Sequence, residues 1–488
     1  INPSPAGPFC GPANTVLTAS GSTGTYSWSP STGLSSTTVA NPTCTATQTT
    51  TYTVTAIGCV GSATTTVTVN AQPGTVTVTP STPAPICAGG SRNLTASGGT
   101  ATLDPASGAG ASTTVGNTTA STLGPNPFQI YYGGCKQQMM WRATELSALG
   151  LVAGSQINTL SINLATLRTD GTATLSNFRV KSQWSNTINA LTTAPVSTGW
   201  LLQAGPASYT PVLGANTVTL GTPLVWNGTD NLLIEFNYSN NNTGTTGTTF
   251  NTATYDLSTS YVATTFYRVD NGTAAQLNNY AMTMNFTYQG RNNVGFGVSQ
   301  PVNFTWNPNS SLTPSSGANV AASPASAQTY TVTANAPGGC TSSTSVTVGV
   351  NPLPTATASG GGTVCSDQAL PDVTFTFTGA PPYNFTYSGP GGTSVTGHNS
   401  NTYTITNAAA GTYAVTAVSD ANTCAGTNFG SSANVTVNPG ATANAGGPYA
   451  TCVDQPVPIS ATANGAGSWS GGAGSFANPN NLSTSYTP

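Results

Sequence analysis

Two glutamates are the residues that could do chemistry as a pair, because glycoside hydrolysis needs two facing carboxyl groups. They are Glu145 and Glu235, and the single histidine, His398, lies far from both in a polar segment, TGHNSNTY. No GxSxG, HExxH or phosphate-loop motif is present. We interpret Glu145 as a residue that caps or flanks a helix and Glu235 as a strand-face residue. The sequence therefore predicts a protein that is not an enzyme and uses no cofactor.

Metal ligands are equally sparse. The chain has one histidine, no CxxC pair and no DxDxDG calcium loop, so no metal site is predicted. A single ion held by Asp270, Asn271 and backbone oxygens is the alternative that the sequence leaves open.

The nine cysteines follow a repeat. Cys10 precedes the phrase LTAS and Cys59 follows the phrase TYTVTA, and two later cysteine pairs hold the same two places. This order predicts three disulfides and an oxidising, extracellular setting. The predicted bonds are Cys10–Cys59, Cys87–Cys340 and Cys365–Cys424.

Three cysteines fall outside these bonds. Cys452 holds the first place of a fourth repeat, so we expect its partner beyond Pro488. Cys44 and Cys135 are interpreted as unpaired, partly buried thiols, with a bond between the two as the alternative.

A ligand site is expected between about residues 106 and 299. This stretch contains four of the seven tryptophans and seven of the eight basic residues. Most of these tryptophans, Trp141 and Trp226 above all, are interpreted as core. Arg168, Arg179 and Trp184 are the candidates for an exposed face, and surface glycans or other extracellular polymers are the expected partners.

Charge and hydropathy exclude other partners. The formal net charge of -3 provides no basic surface for nucleic acid. No run of about 18 apolar residues exists, so direct membrane insertion is not expected.

The elements that position these residues are predicted to be strands. Only 4% of residues are charged, against about 25% in an average protein. Runs such as TTTYTVTAI and TSVTVGVN alternate apolar side chains with Thr or Ser, which is the period of a half-buried strand. Residues 161–164 and 232–238 alternate in the same way. Residues 143–151 (ATELSALGL) have helical spacing and are predicted to form the only helical turn.

One repeat is split by an insertion. Leu17 is followed by Trp28 after 11 positions, whereas Leu94, in the same phrase, is followed by Trp306 after 212. Downstream the spacing recovers, because 24 positions separate Trp28 from Tyr52 and also Trp306 from Tyr330. The simplest explanation is that about 200 residues were inserted into a loop of a repeated β-module.

The chain is therefore predicted to be all-β, with tandem Ig-like β-sandwich modules and a second sandwich inserted into the second module. In each module Trp28 or its equivalent is expected to pack against the core disulfide, and Tyr52 or its equivalent to form a tyrosine corner. The predicted domains are module one (1–71), module two (72–105 and 300–351), the inserted domain (106–299), module three (352–438) and an incomplete module four (439–488).

Several phrases resemble the repeats of Bacteroidota cell-surface proteins. TYSWSPSTGLSSTTVANPTCTATQTTTYTVTA resembles their Ig-like repeat, and GSWSGGAGSFANPNNLSTSYTP resembles a PKD-like repeat of the same proteins. The resemblance implies a long adhesin of the SprB gliding type, exported by the type IX secretion system. KQQMMWRATELSALGLVAGSQINTLSINL and VWNGTDNLLIEFNYS resemble segments of flavobacterial surface domains, which implies a jelly-roll-like fold for the inserted domain.

Three functions follow as hypotheses. The first is a fragment of a secreted cell-surface adhesin or filament, in which the modules form a stalk, further repeats of the same parent chain extend it and the inserted domain is displayed for contact. The second is a structural subunit of a polymeric extracellular appendage assembled by strand addition. The third is a secreted glycan-active enzyme, which the shortage of catalytic residues disfavours.

Overall fold

A computed structural model describes residues 2–4, 7–21, 25–47, 49–57, 61–103, 126–128, 132–167, 174–241, 252–253, 259–292 and 294–488. Nearly all regular structure in these residues is β-strand, so the chain is all-β as predicted. The chain divides into two compact units, each with its own packing. The first contains residues 1–82, 93–322 and 329–346, and the second contains residues 83–92, 323–328 and 347–488.

Module one is a small sandwich of two three-stranded sheets, with strand order β1-β3-β5 and β4-β6-β7. A further pair, β2 and β8, runs parallel. Alternation of Ser with aromatic residues places Tyr26 and Trp28 of β4 in the core, together with Leu17 and Tyr52. The strands are β1 (Asn2–Ser4), β2 (Phe9–Cys10), β3 (Thr15–Thr18), β4 (Tyr26–Ser29), β5 (Thr43–Cys44), β6 (Thr50–Ala56), β7 (Ser62–Val67) and β8 (Val69–Asn70).

Three strands precede the inserted segment: β9 (Val76–Thr79), β10 (Ile86–Cys87) and β11 (Arg92–Gly98). The inserted segment is itself a sandwich of two antiparallel sheets. The five-stranded sheet has the order β12-β22-β14-β17, with β19 paired to β14, and the six-stranded sheet has the order β16-β15-β18-β13-β20-β21. Their facing sides bury a core that includes Trp141, Trp226 and Phe236, so Trp141 and Trp226 are structural, as predicted.

The elements of this sandwich include two helices. They are β12 (Ala101–Leu103), β13 (Gly134–Trp141), α1 (Ala143–Ala148), β14 (Gln156–Thr166), β15 (Leu175–Ser185), β16 (Leu201–Tyr209), β17 (Gly214–Val225), β18 (Asn231–Ser239), β19 (Thr252–Ala253), β20 (Thr264–Val269), α2 (Ala274–Asn278), β21 (Phe286–Tyr288) and β22 (Val294–Gln300). The helical turn predicted after residue 142 and the strands predicted at 161–164 and 232–238 are confirmed. The expectation of a single helical turn is wrong, because α2 is a second.

Strands from both sides of the insertion share one sheet. Its order is β24-β25-β11-β9, and the facing sheet is β23-β26-β27. The amide of Ala96 donates to the carbonyl of Ala318 (2.7 Å), and Thr95 Oγ1 donates to Asn319 Oδ1 (2.9 Å). The later strands are β23 (Asn303–Asn307), β24 (Leu312–Thr313), β25 (Asn319–Ala322), β26 (Gln328–Asn335), β27 (Thr341–Val348) and β28 (Val350–Asn351).

Residues 352–438 form a sandwich of a three-stranded sheet, β29-β31-β34, and a five-stranded sheet, β30-β36-β35-β32-β33. Its core is rich in aromatic side chains, with Phe375, Phe385 and Tyr413 at the centre. The strands are β29 (Ala356–Gly360), β30 (Gly362–Cys365), β31 (Val373–Phe377), β32 (Tyr383–Ser388), β33 (Ser394–His398), β34 (Thr402–Ile405), β35 (Gly411–Ser419) and β36 (Ala433–Asn438).

Residues 439–488 carry two small sheets, β37-β39 and β38-β41-β40. Only Ile459 is buried in this stretch, all of which the structure describes. The strands are β37 (Ala443–Asn444), β38 (Val457–Ser460), β39 (Thr462–Ala463), β40 (Ser475–Phe476) and β41 (Ser483–Thr487).

The disulfides join successive modules, so the predicted bonds Cys10–Cys59, Cys87–Cys340 and Cys365–Cys424 are wrong. Cys10 is bonded to Cys340, and Cys87 is bonded to Cys424. Cys365 has a free, half-exposed thiol and Cys452 a free, exposed one. Cys59 lies outside the described residues.

Strand direction explains this correction. In module three β30 runs parallel to β36, which places Cys365 opposite Asn438 at the end of β36. β35 runs antiparallel to β36, from Gly411 opposite Val435 towards lower numbers of β36, so Cys424, which follows β35, lies at the other end of the sandwich. The first and last cysteines of one module therefore cannot meet.

The repeated aromatic residues are buried or half-buried, but their contacts differ from the prediction. Indole Nε1 donates to a backbone carbonyl 11 or 12 residues downstream in three modules: Trp28 to Val39 (2.8 Å), Trp306 to Gly317 (2.9 Å) and Trp469 to Asn481 (2.9 Å). The buried residues that cluster with Trp28 include no disulfide-bonded cysteine, and Cys340 packs instead in a separate cluster with Ala71, Ala101 and Ala336, so the prediction that Trp28 packs against the core disulfide is wrong.

The tyrosine corner is present in module three, where the hydroxyl of Tyr413 donates to the carbonyl of Ala409 four residues upstream (2.9 Å). In module one Tyr52 donates instead to the carbonyl of Thr32 (2.7 Å), 20 residues upstream. The tyrosine-corner prediction is therefore wrong for Tyr52.

Candidate functional site in the inserted domain

The three residues predicted to form an exposed face are not brought together. Arg168 lies outside the described residues. Arg179 and Trp184 are five residues apart on β15, and the register with β18 places them on opposite faces of the sheet. Trp184 packs half-buried against the core, whereas Arg179 is half-buried on the other face and its Nη1 donates to the carbonyl of Asn177 (3.3 Å).

Glu145 is used at the start of α1. Its carboxylate accepts the amide hydrogen of Arg142 (2.8 Å), a hydrogen bond from Tyr261 and an ion pair from Arg291 (2.8 Å). An acidic group near a helix N-terminus satisfies a free amide and interacts favourably with the helix dipole. The prediction that Glu145 caps or flanks a helix is confirmed.

Glu235 lies in the middle of a polar row that crosses three strands. The pairing of β13, β18 and β15 aligns Gln138 with Glu235 and Glu235 with Lys181. Their sequence neighbours Met139 and Ile234 belong to the sandwich core. Because side chains alternate along a strand, the polar row points to the opposite face of the sheet.

That opposite face is covered. Residues between β15 and β16 pack on it and bury Met140 and Leu233 against Leu191, and α2 contacts both β13 and β18. As a result all nine residues of β18 are buried. The prediction that Glu235 is a strand-face residue is confirmed, but the face is shielded from solvent.

Six residues on this face form what we call the Lys181 cluster: Lys136, Gln138, Lys181, Glu235, Asn278 and Tyr280. Lys181 Nζ lies 3.1 Å from Glu235 Oε1, 3.0 Å from Asn278 Oδ1 and 2.9 Å from the hydroxyl of Tyr280. The same hydroxyl donates to Glu235 Oε1 (3.1 Å). Gln138 Nε2 donates to Glu235 Oε2 (2.8 Å). An amine, a carboxyl group and a carboxamide are thus in contact away from bulk water.

Lys136 adds a second amine to the cluster. Its Nζ donates to the carbonyl of Asn279 (2.9 Å) and lies 4.0 Å from the centre of the Tyr280 ring. Burial lowers the pKa of Lys136 to about 8, although the carboxylate of Glu235 opposes this change. Burial also raises the pKa of Tyr280, and the neighbouring Glu235 raises it further.

A second feature of the same sheet is exposed. β21 is its edge strand, and Phe286 and Tyr288 on it have 51% and 42% of their surface accessible. They are two residues apart and lie on one side of the strand. The ring of Phe286 stacks on Phe266 with centroids 5.0 Å apart, and the guanidinium carbon of Arg268 lies 5.1 Å from the centroid of Phe286. We call Phe266, Arg268, Phe286 and Tyr288 the β21 edge.

Sequence reasoning missed both features. The candidates chosen from the sequence were tryptophan and arginine, whereas the exposed rings belong to Phe286 and Tyr288 in the segment MNFTYQG, which matches no binding motif. One signal for the cover of the Lys181 cluster was available: Thr273 and Gln276 match the S/T-x-x-E/Q capping box, and they cap α2.

The remaining thiols and possible ligands are structural. Cys44 and Cys135 are free and buried, so the prediction that they are unpaired is confirmed, and burial raises the pKa of Cys135 to about 12. Asp270 Oδ1 accepts a hydrogen bond from the amide of Gly133 (3.4 Å). No group of three metal-binding side chains occurs within the described ranges. Among those same residues no helix is long and apolar enough to cross a membrane.

Comparison with known proteins yields only distant similarity. No family model matches the sequence, and no curated protein matches it. Among solved structures, the N-terminal eight Ig domains of Down Syndrome Cell Adhesion Molecule align with 93% of this chain and 62% of that one, at 10% identity and a TM-score of 0.25. The mouse nectin-like molecule 4 ectodomain aligns with 88% of this chain and 97% of that one, at 9% identity and a TM-score of 0.23.

An I-band fragment of titin aligns with 39% of this chain and 79% of that one, at 15% identity and a TM-score of 0.23. Superpositions this loose carry no argument about function. The class of fold, a string of Ig-like β-sandwiches, is defined by the chain's own sheets.

Proposed function

We propose that this chain is a non-enzymatic extracellular adhesion protein, in which the Ig-like modules form a stalk and the inserted domain is displayed for contact. One observation carries the proposal. The inserted domain begins with β12, a few residues before the predicted boundary at 106, and ends with β22, and these strands pair antiparallel with Ala101 opposite Gln300. The domain therefore leaves and re-enters module two at neighbouring positions, as an appendage of the module.

The disulfides support a stalk under oxidising conditions. Cys10–Cys340 and Cys87–Cys424 each connect a strand of one module to the hairpin region of the next. Such bonds form and persist outside the cytosol. Covalent links between successive modules keep the connection between them even when one contact surface opens, which suits a chain that transmits force.

The β21 edge supports contact with surface glycans. Seven of the eleven large apolar residues that are exposed among the described residues lie in the inserted domain. Of these seven, only Phe286 and Tyr288 are aromatic, and flat aromatic rings stack on the apolar faces of sugars. The proposed contact is therefore a polysaccharide chain lying along β21.

A glycan array probed with the full chain tests this proposal. The double variant Phe286→Ala/Tyr288→Ala should lose binding by at least about tenfold, the equivalent of roughly 1.4 kcal/mol. Leu201→Ala/Leu202→Ala is the matched control, because both residues are exposed on β16, the opposite edge of the same sheet. Binding to no glycan, or equal loss in the control, would reject the β21 edge as the contact.

Glu145 and Glu235 are both held in structural contacts, which supports a non-enzymatic role. Hydrolysis of a polysaccharide panel that disappears in Glu145→Gln or Glu235→Gln would overturn that part of the proposal.

Export by the type IX secretion system and a place among Bacteroidota gliding adhesins are proposed from the sequence resemblance. Antibody labelling of the chain on intact source cells, compared with cells that lack the secretion machinery, tests them.

The second candidate, a subunit that polymerises by strand addition, is favoured by one observation. Residues 439–488 bury a single large side chain, so their sheets gain stability if another strand adds to them. Sedimentation of the purified chain distinguishes the candidates, because strand addition predicts concentration-dependent oligomers that Pro substitutions in β40 abolish.

A further inference from the structure

Three reactive groups of the Lys181 cluster are held in contact. The amine of Lys181 lies 3.0 Å from the carboxamide oxygen of Asn278 and 3.1 Å from the carboxylate of Glu235. We propose that Lys181 and Asn278 form an intramolecular isopeptide bond, with Glu235 as the catalytic acid and base.

The contacts orient each group for this reaction. Asn278 Nδ2 donates to the carbonyl of Ala274 (2.8 Å), which fixes the amide plane and leaves Oδ1 facing Lys181. The hydroxyl of Tyr280 contacts both Lys181 Nζ and Glu235 Oε1. The reacting groups are therefore preassembled by folding, which removes the entropic barrier of bringing an amine and an amide together.

Lys181 and Glu235 are withdrawn from bulk water. The side chain of Glu235 has no exposed surface and that of Lys181 has 13%. An isolated buried charge is unfavourable, and the Lys181 ammonium has the carboxylate of Glu235 as its ion-pair partner, while Lys136 donates to the carbonyl of Asn279 and acts on this pair only through its charge. Transfer of a proton from Lys181 to Glu235 produces the neutral amine that can act as a nucleophile.

The atoms balance without any further reactant. The neutral Nζ of Lys181 attacks Cγ of Asn278, and the developing oxyanion stays at Oδ1. The Nζ–Cγ bond forms while Glu235 takes a second proton from Nζ after passing the first to Nδ2. The Cγ–Nδ2 bond breaks, ammonia leaves and takes up the remaining proton as ammonium, and Glu235 returns to its carboxylate form.

The bond would fasten the cover to the sheet. Lys181 lies on β15 and Asn278 ends α2, so the link joins a central strand to the segment that shields its outer face. A domain that a stalk carries gains resistance to unfolding under load from such a link, because α2 can no longer separate from the sheet.

Mass spectrometry of the full chain after reduction and denaturation tests the proposal. We expect an intact mass lower than the sequence mass by one ammonia. Tryptic digestion should leave the chain uncut after Lys181 and release a branched peptide that contains Lys181 and Asn278. Succinimide formation at Asn278 also removes ammonia, but it leaves a linear peptide and normal cleavage after Lys181.

Four variants complete the test. Asn278→Ala and Glu235→Gln should each retain the full sequence mass, whereas the matched control Asn279→Ala should keep the branched peptide. Circular dichroism of each variant establishes that it is folded, and Lys181→Arg provides a second substitution that retains the positive charge but cannot react. Unmodified linear peptides for both residues in the wild-type chain, or the branched peptide in folded Glu235→Gln, would overturn the proposal.

Discussion

Lys136 is a charged residue with no accessible surface, on the covered face of β13. Its stem and amine are held between the sheet and the segment after α2, and the ring of Tyr280 lies under the amine. Burial of an amine favours its neutral form. Protonation of the Lys136 amine therefore opposes folding.

The pH dependence of stability follows from this shift. In the folded chain the pKa of Lys136 is about 8, below its unfolded value of about 10.4. Between these values the unfolded state binds a proton that the folded state lacks, so the free energy of unfolding should rise with pH by up to about 3 kcal/mol. Below about pH 8 both states are protonated and the rise is absent.

Thermal unfolding between pH 7 and 9.5 checks this expectation, because the range ends before most tyrosines ionise. Lys136→Met removes the titrating group. The unfolding midpoint of the wild-type chain should therefore rise above about pH 8, whereas that of the variant should lack this rise. Parallel curves for the two proteins would show that Lys136 titrates normally in the folded state.

The repeated tryptophans show which structural features the spacing of residues in the sequence can predict. The spacing of 24 positions to the tyrosine correctly marked equivalent sites, and the indole hydrogen bond recurs at 11 or 12 residues. The tyrosines have equivalent positions but different partners, because Tyr52 donates to the backbone carbonyl of Thr32 whereas Tyr330 pairs with the side-chain hydroxyl of Ser311. Spacing therefore identifies the side chain but not its partner.

At the scale of elements, β18 shows why a periodic pattern can mislead. From Ile234 onward this strand (IEFNYS) alternates apolar with polar residues, a pattern that is typical of a strand with one face exposed to solvent. The segment between β15 and β16 and the helix α2 cover that face, so both sides of β18 are buried. The pattern of a strand shows which of its faces is polar. Whether that face is exposed to solvent depends on the packing of segments that are distant in sequence.

The passage from module two into the inserted domain depends on two glycines. Gly98 and Gly99 both have positive φ, at +79° and +67°, and a Cβ added at Gly99 would lie 2.7 Å from Cβ of Ala334. Only glycine satisfies both the backbone conformation and the close approach. The turn thereby fixes where the inserted domain leaves its module.

Gly99→Ala should therefore destabilise the chain more than alanine at another positive-φ glycine that has free space around it. The matched control is Gly317→Ala, because Gly317 has a φ of +104° and no atom within 4 Å of an added Cβ. The control should lose about 1–2 kcal/mol from the left-handed backbone alone. Gly99→Ala should lose roughly 1–3 kcal/mol more through overpacking.

Differential scanning calorimetry measures both variants. Equal unfolding midpoints for Gly99→Ala and Gly317→Ala would mean that Ala334 moves aside and that the turn is not tightly packed.

At the scale of the whole molecule, the disulfides turn a row of similar modules into a covalently linked series. The bonded cysteines Cys10 and Cys87 each lie on a short strand that runs parallel to the last strand of their own module, opposite Asn70 and Asn351. Near the first of these positions, Asn70 Nδ2 donates to the carbonyl of Gly338 (2.6 Å), close to Cys340. The disulfide therefore joins the end of one module to the hairpin region of the next.

Peptide mapping under non-reducing conditions should recover Cys10–Cys340 and Cys87–Cys424. By the chain-entropy model, Cys10→Ser with Cys340→Ser should lower the free energy of unfolding by roughly 3–5 kcal/mol, because the bond closes a very long loop. Cys452→Ser is the control, since this thiol is exposed and free. Recovery of a Cys10–Cys59 peptide would contradict the inter-module linkage.

The sequence by itself determined the all-β class, the repeat, the insertion and the roles of Glu145, Trp141 and Trp226. These follow from local patterns, because strand periodicity, turn residues and capping depend on neighbours in sequence. It did not determine the disulfide partners, the shielding of Glu235 or the exposure of Phe286. Only the tertiary structure decided these, because the direction of a strand and the cover of a sheet face depend on segments that are distant in sequence.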